Sequence, residues 1–116
     1  MTFRRVARGK ARPRGHMNTW EQQYAEQLKL RERAGEIEWY AYEAIKFRLA
    51  NNTFYTPDFL VMLANGDMEV HEVKGFWEDD ARVKIKVAAS IYPFRFIAIS
   101  KGKEGWSVEN FSTEAA

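Results

Sequence analysis

Two residues, Asn65-Gly66, split the middle of this chain into an apolar run and its return, and they constrain the fold more than any other dipeptide in it. Asn-Gly is the strongest short hairpin signal, because both central residues of a two-residue turn need positive φ. Before it, Phe59-Leu60-Val61-Met62-Leu63 is apolar throughout, as in a strand covered on both faces. Met68 to Lys74 is then the antiparallel partner. A two-residue turn pairs residues whose numbers sum to about 131, which sets Asp58 opposite Val73 and leaves Glu72 one step away. A small bulge or twist would align the two carboxylates.

The flanking segments build a layered α/β domain around this hairpin. Asn18 followed three residues later by Glu21 is a capping-box start for a helix over residues 19–34, and Gly35 supplies its left-handed end. Trp20, Tyr24 and Leu28 share one face of that helix, and Glu26, Lys29, Arg31, Glu32 and Arg33 cover much of the rest. Residues 37–42 and 44–49 are rich in β-branched and aromatic side chains and predict extended segments, with a turn at Asn51-Asn52. A second helix runs from Asp79 or Asp80 to Ile91, and Pro93 stops it before a strand over residues 94–100. A strand, a helix and a further strand make a parallel crossover. The expected architecture is a mixed sheet of four to five strands flanked by helices, with a short edge strand near Trp106.

Charge divides the chain unevenly. Residues 1–16 carry Arg4, Arg5, Arg8, Lys10, Arg12 and Arg14 and no acid, whereas the remaining hundred residues hold 12 basic and 16 acidic side chains. A basic arm over residues 1–17 therefore precedes a mildly acidic domain over 18–116. With few large apolar residues, the arm is expected to stay flexible until it meets a polyanion; a solubilising tail is the alternative. The absence of cysteine excludes disulfides, thiolate chemistry and cysteine-based zinc sites, and suits a cytoplasmic protein. No apolar run approaches the ~20 residues of a membrane span, so no membrane partner is expected.

Chemistry concentrates at the outer ends of the hairpin, in Pro57-Asp58 and Glu72-Val73-Lys74. Asp58 and Glu72 are hard oxygen donors of the type Mg²⁺ prefers, and Mn²⁺ accepts the same set. Lys74 shares the face of Glu72, because strand side chains alternate with a period of two. It is placed to orient a water or to neutralise phosphoryl oxygens in a transition state. Two close carboxylates raise one another's pKa unless a cation intervenes.

These motifs resemble the PD-(D/E)xK nucleases, and residues 18–100 are similar to small phage-encoded endonucleases of that superfamily. The stretches Glu32-Arg33-Ala34-Gly35-Glu36-Ile37, Tyr55-Thr56-Pro57-Asp58-Phe59 and Glu72-Val73-Lys74-Gly75-Phe76 carry the likeness. The resemblance implies a restriction-endonuclease-like core and a Mg²⁺-dependent endodeoxyribonuclease. It implies Asp58, Glu72 and the Val73 carbonyl as metal ligands, Lys74 beside the attacking water, and Glu21 as a helix-borne acid completing the site. It also implies phosphate contacts from Lys84 or Lys86 on the second helix, a branched DNA substrate such as a four-way junction, and action as a homodimer in the host cytoplasm.

Each assignment has a plainer competitor. Glu21 is accounted for as a capping residue, Asp58 as a turn residue after proline, and the Glu72/Lys74 pair as a solvated strand face. His71 invites a general-base reading but alternates with Glu72 and is read as a structural or surface residue, and Gly75-Phe76-Trp77 as core packing. The rival function is a non-catalytic DNA-binding or assembly subunit that keeps a nuclease fold.

Overall fold

The computed structural model describes residues 16–75 and 79–112. The basic arm with Arg4, Arg5, Arg8, Lys10, Arg12 and Arg14 lies outside the described residues, as do Phe76 and Trp77. Helix α1 spans Thr19–Arg33, followed by strands β1 (Ile37–Tyr42), β2 (Phe47–Ala50), β3 (Thr53–Tyr55), β4 (Phe59–Leu63) and β5 (Met68–Lys74). Helix α2 (Asp79–Ile91) then leads to β6 (Arg95–Gly102) and β7 (Gly105–Asn110).

Five strands form one mixed sheet in the order β1-β4-β5-β6-β7, in which only β5 and β6 run parallel. The parallel pair is the one joined through α2, as a crossover requires. Among the described residues, no helix is long and apolar enough to cross a membrane. Each sheet face carries its own core. Tyr24 and Leu28 of α1 pack with Ile37, Phe59, Val61, Val73, Ile97 and Ile99 on one side. Ile85, Ala88 and Ala89 of α2 pack with Val70, Phe96, Phe47 and Tyr55 on the other. Phe59 and Val70 are fully buried on opposite faces, and coverage of both faces explains why β4 reads as a nearly continuous apolar run. Burial of each such side chain is worth about 1.5–3 kcal/mol.

Helix α1 begins as its sequence predicts. The Asn18 side chain accepts from the Glu21 amide at 2.8 Å while Glu21 Oε1 accepts from the Asn18 amide at 3.0 Å, and Gly35 has φ +82 at the other end. Trp20 departs from the expected buried stripe. It is 37% exposed and makes an edge contact with Trp106 of β7.

The hairpin between β4 and β5 closes differently from the expectation. Only Gly66 has positive φ, at +94, and Leu63 donates its amide to the Asp67 carbonyl at 2.8 Å while Gly66 donates to the Leu63 carbonyl at 2.9 Å. The loop is therefore Ala64-Asn65-Gly66, a three-residue turn with glycine in the left-handed position, rather than a two-residue turn. The extra residue shifts the register by one, so that Met62 pairs with Met68 and Phe59 with His71. Continued by one residue, that ladder sets Asp58 opposite Glu72 rather than Val73, and no bulge is needed to align them.

A second departure is a small sheet of its own. Residues 47–50 do not extend the main sheet; they turn at Asn51-Asn52, where Asn52 has φ +55, and pair with a three-residue strand at Thr53–Tyr55. This β2–β3 hairpin packs on α2 through Phe47 and Tyr55, and its last strand runs through Thr56-Pro57 into Asp58.

Candidate active site

Asp58 is fully buried and is held from three directions. Its amide donates to Glu72 Oε1 at 3.3 Å, its Oδ2 accepts from the Val73 amide at 2.8 Å, and its carbonyl accepts from the Glu43 amide at 2.8 Å. Glu43 adopts φ +49 at the end of β1, a left-handed conformation costly for a residue with a Cβ. Proline at 57 supplies no amide and fixes the approach of the chain. Backbone from three strands thereby determines where the Asp58 carboxylate sits.

Glu72 and Lys74 lie on the α2 face of β5, as period-two alternation requires. Glu72 Oε1 also accepts from the Tyr55 hydroxyl at 2.8 Å, and Oε2 pairs with Lys74 Nζ at 3.1 Å. Glu72 is only 4% exposed, so this ion pair is shielded from water more than a surface pair. Its strength depends on the further hydrogen bonds, which offset the loss of hydration.

Glu21 approaches from the opposite face on α1. Its Oε1 accepts from the Tyr42 hydroxyl at 2.8 Å as well as from the Asn18 amide. Burial, then the charge of Asp58 and a hydrogen bond shared with the Asp58 carboxylate, push its pKa up from 4.5 to about 7. Glu21 and Asp58 are thus a buried carboxyl pair in direct contact, which is unfavourable when both are ionised. Capping and site membership hold together in one conformation; they are not exclusive alternatives.

One end of the sheet therefore gathers Glu21, Asp58, Glu72 and Lys74 through a continuous series of contacts. The sequence assigns no site role to the two tyrosines that orient the acids, Tyr42 and Tyr55, although Tyr55 belongs to a stretch that carries the resemblance. Alternation would have found their faces, but not their partners. Another buried oxygen stands out nearby. Thr56 Oγ1, two residues before Asp58, is the buried side-chain polar atom without a hydrogen-bond partner among the described residues.

A hard divalent cation fits the Glu21–Asp58 pair in donor type and charge, since it would offset both the burial and the Asp58 repulsion that raise the Glu21 pKa. A preformed multidentate cage is a different matter. Among the described residues no group of three or more His, Cys, Asp or Glu side chains is placed to hold a metal ion. The fit is thus to a cation held by one or two carboxylates and otherwise by water and substrate oxygens, the usual habit of Mg²⁺.

His71 takes the structural role expected of it. It is fully buried on the α1 face, with Nδ1 2.6 Å from the Tyr24 hydroxyl and Nε2 2.9 Å from Glu69 Oε1. A carboxylate beside Nε2 fixes the proton there, so Nδ1 accepts from Tyr24. Burial holds the His71 pKa below its usual 6.5, and the His71 hydrogen bond holds Glu69 below the usual carboxylate range.

Lys84 and Lys86 do not act as a pair. Residues two apart on a helix diverge by about 200°, and Lys84 Nζ donates to the Phe54 carbonyl at 3.2 Å. Partial burial lowers the Lys84 pKa. Lys86 is exposed on the other flank of α2, the flank on which Arg82 bonds Glu109 of β7.

The chain matches no protein-family model, no curated protein and no solved structure.

Proposed function

We propose that this protein is a divalent-metal-dependent endonuclease that hydrolyses DNA phosphodiester bonds, built on a restriction-endonuclease-like core of the PD-(D/E)xK kind. The observation that carries the reading is the contact series Glu21, Asp58, Glu72, Lys74 at one sheet end, with Glu21 and Asp58 buried together. A structural core has no need of two touching carboxylates beside a third acid and a lysine.

In this reading Asp58 and Glu21 would hold the cation, and water and substrate oxygens would fill most of the places that the resemblance gives to Glu72 and the Val73 carbonyl, because the described acids do not form a three-carboxylate cage. When bound, the cation supplies Lewis-acid stabilisation of phosphoryl charge and acidifies the attacking water. Lys74 donates to that water or to a phosphoryl oxygen, and its partner Glu72 aims it. The Tyr42 and Tyr55 hydroxyls hold the Glu21 and Glu72 side chains in place, which limits their reorganisation during the reaction. Branched DNA, cut by a homodimer with two such sites, is the finer form of the proposal.

The test is to incubate the full chain with duplex, single-stranded and four-way-junction DNA in Mg²⁺, in Mn²⁺ and in EDTA. Cleavage in either metal, abolished by EDTA and by Asp58→Asn, is expected. A Mg²⁺-dependent rise in melting temperature, lost in Asp58→Asn, reports the cation independently of turnover. Cleavage that persists in EDTA would refute the metal mechanism; DNA binding without cleavage or thermal shift would favour the non-catalytic subunit.

A further inference from the structure

The outward face of the β2–β3 hairpin has no role in the site described so far. Phe47 and Tyr55 pair across this hairpin and point into the core, so their neighbours Arg48 and Phe54, which also pair, point outward. Lys46 shares the parity of Arg48. Its Nζ lies 4.5 Å from the centroid of the Phe54 ring, and both Lys46 and Arg48 are exposed.

Sequence makes this face electrically distinct. The domain after residue 16 is net acidic, yet residues 44–57 contain Lys46 and Arg48 and no Asp or Glu. The face is also mechanically joined to the candidate active site. The Phe54 carbonyl is bonded by Lys84 of α2, the next residue is Tyr55, whose hydroxyl holds Glu72, and Asp58 follows three residues later. Residues i and i+2 of an extended segment have Cα atoms about 6.6 Å apart, a spacing from which two long cationic side chains can reach successive anionic groups along an extended polymer. A cationic edge leading into a cluster of three acids is otherwise unhelpful to stability, since the acids it would pair with are already buried behind it.

We infer that the outward face of the β2–β3 hairpin, through Lys46 and Arg48, binds the sugar–phosphate backbone of the nucleic-acid strand beside the scissile bond. This rests on the proposed function for the identity of the polymer. Contacts of this type position the substrate without reading its bases. The Phe54 ring under Lys46 restricts the ammonium and favours a directed contact over a wandering one.

The experiment compares the full-length wild type with Lys46→Gln/Arg48→Gln, measuring anisotropy of a labelled DNA duplex in EDTA over a salt series. Each lost phosphate contact lowers the slope of log affinity against log salt by about 0.9, so the double variant should bind more weakly with a slope reduced by about 1.8. Its melting temperature should not change, because both side chains are exposed. An unchanged slope and affinity would overturn the inference while leaving metal-dependent cleavage by the wild type to stand on its own result. Conversely, a reduced slope in a protein that never cleaves would uphold the hairpin as a DNA contact and reject the nuclease. Loss of binding to phosphatidylserine vesicles with DNA binding intact would also overturn it, in favour of a membrane surface.

Discussion

Replacing Glu21 by Gln should make the metal-free protein more stable at pH 8 and leave it nearly unchanged at pH 5. The Glu21 carboxyl titrates at about 7 in the folded chain against 4.5 for an unperturbed glutamate. Between those values the folded state holds a proton that the unfolded state has released. Stability therefore falls as pH rises through this window, and the cost is complete above pH 7. At about 1.4 kcal/mol per pKa unit the difference corresponds to at most about 3.5 kcal/mol. Lys74 at the same sheet end is 20% exposed, so water reaches the site and screening trims the figure to about 2 kcal/mol. Gln cannot ionise, keeps an oxygen to accept from Asn18 and Tyr42, and can donate to Asp58 in place of the lost proton. Urea unfolding followed by tryptophan fluorescence, at pH 5 to 8 in EDTA, measures both proteins. His71, kept neutral by burial, imposes the opposite slope below about pH 6.5. It does so equally in both proteins, so their difference isolates Glu21. Wild type and variant running parallel across the range would refute the reasoning. The same logic requires that the stabilisation of the wild type by Mg²⁺ grow from pH 5 to pH 8, since cation and proton compete for one carboxylate.

Two further substitutions test the buried polar groups around the site. Tyr24→Phe strips the donor from the fully buried His71 Nδ1 and should cost about 1–3 kcal/mol in urea unfolding; a loss below about 0.5 kcal/mol would contradict the tautomer assigned to His71. Thr56→Val removes a hydroxyl that has no partner among the described residues and should be neutral or stabilising by about 1 kcal/mol. A clear loss of stability would show instead that this hydroxyl holds a buried water or ligand.

Most of the fold is legible in the sequence, and what is not legible depends on contacts outside the local pattern. The capping box, Gly35 and Pro93 act on their own backbone neighbourhoods, so α1 and the end of α2 can be read locally. Asn65-Gly66 announces a hairpin with equal clarity, but the dipeptide is compatible with a two-residue turn and with a three-residue turn ending in glycine. What selects the longer loop is the fit of both strands to two cores, with Phe59 and Val61 on one face and Val70 on the other. A one-residue change then decides whether Asp58 lies across from Val73 or from Glu72. The β2–β3 hairpin was missed in part because Thr53–Tyr55 is only three residues long, too short for a period to show. Tyr42 and Tyr55 were missed for a different reason. Their partners lie 21 and 17 residues away, and nothing in the local pattern encodes which acid each hydroxyl meets.

Glu21 is where the plain reading and the functional one meet most closely, and the structure weighs them unequally. Capping explains one oxygen, since Oε1 accepts from the Asn18 amide, but a capping box asks only for a Glu or Gln at that position of an otherwise solvated helix start. It does not require that the residue be 2% exposed, nor that it lie against Asp58, where its pKa rises to about 7. A glutamine would cap the same amide without that electrostatic cost. The tyrosine at 42 adds a second donor to the same oxygen, fixing the carboxyl next to Asp58 rather than letting it swing toward water. Capping therefore leaves the charge of Glu21 unexplained, and the function proposed above gives it a use, a cation shared with Asp58.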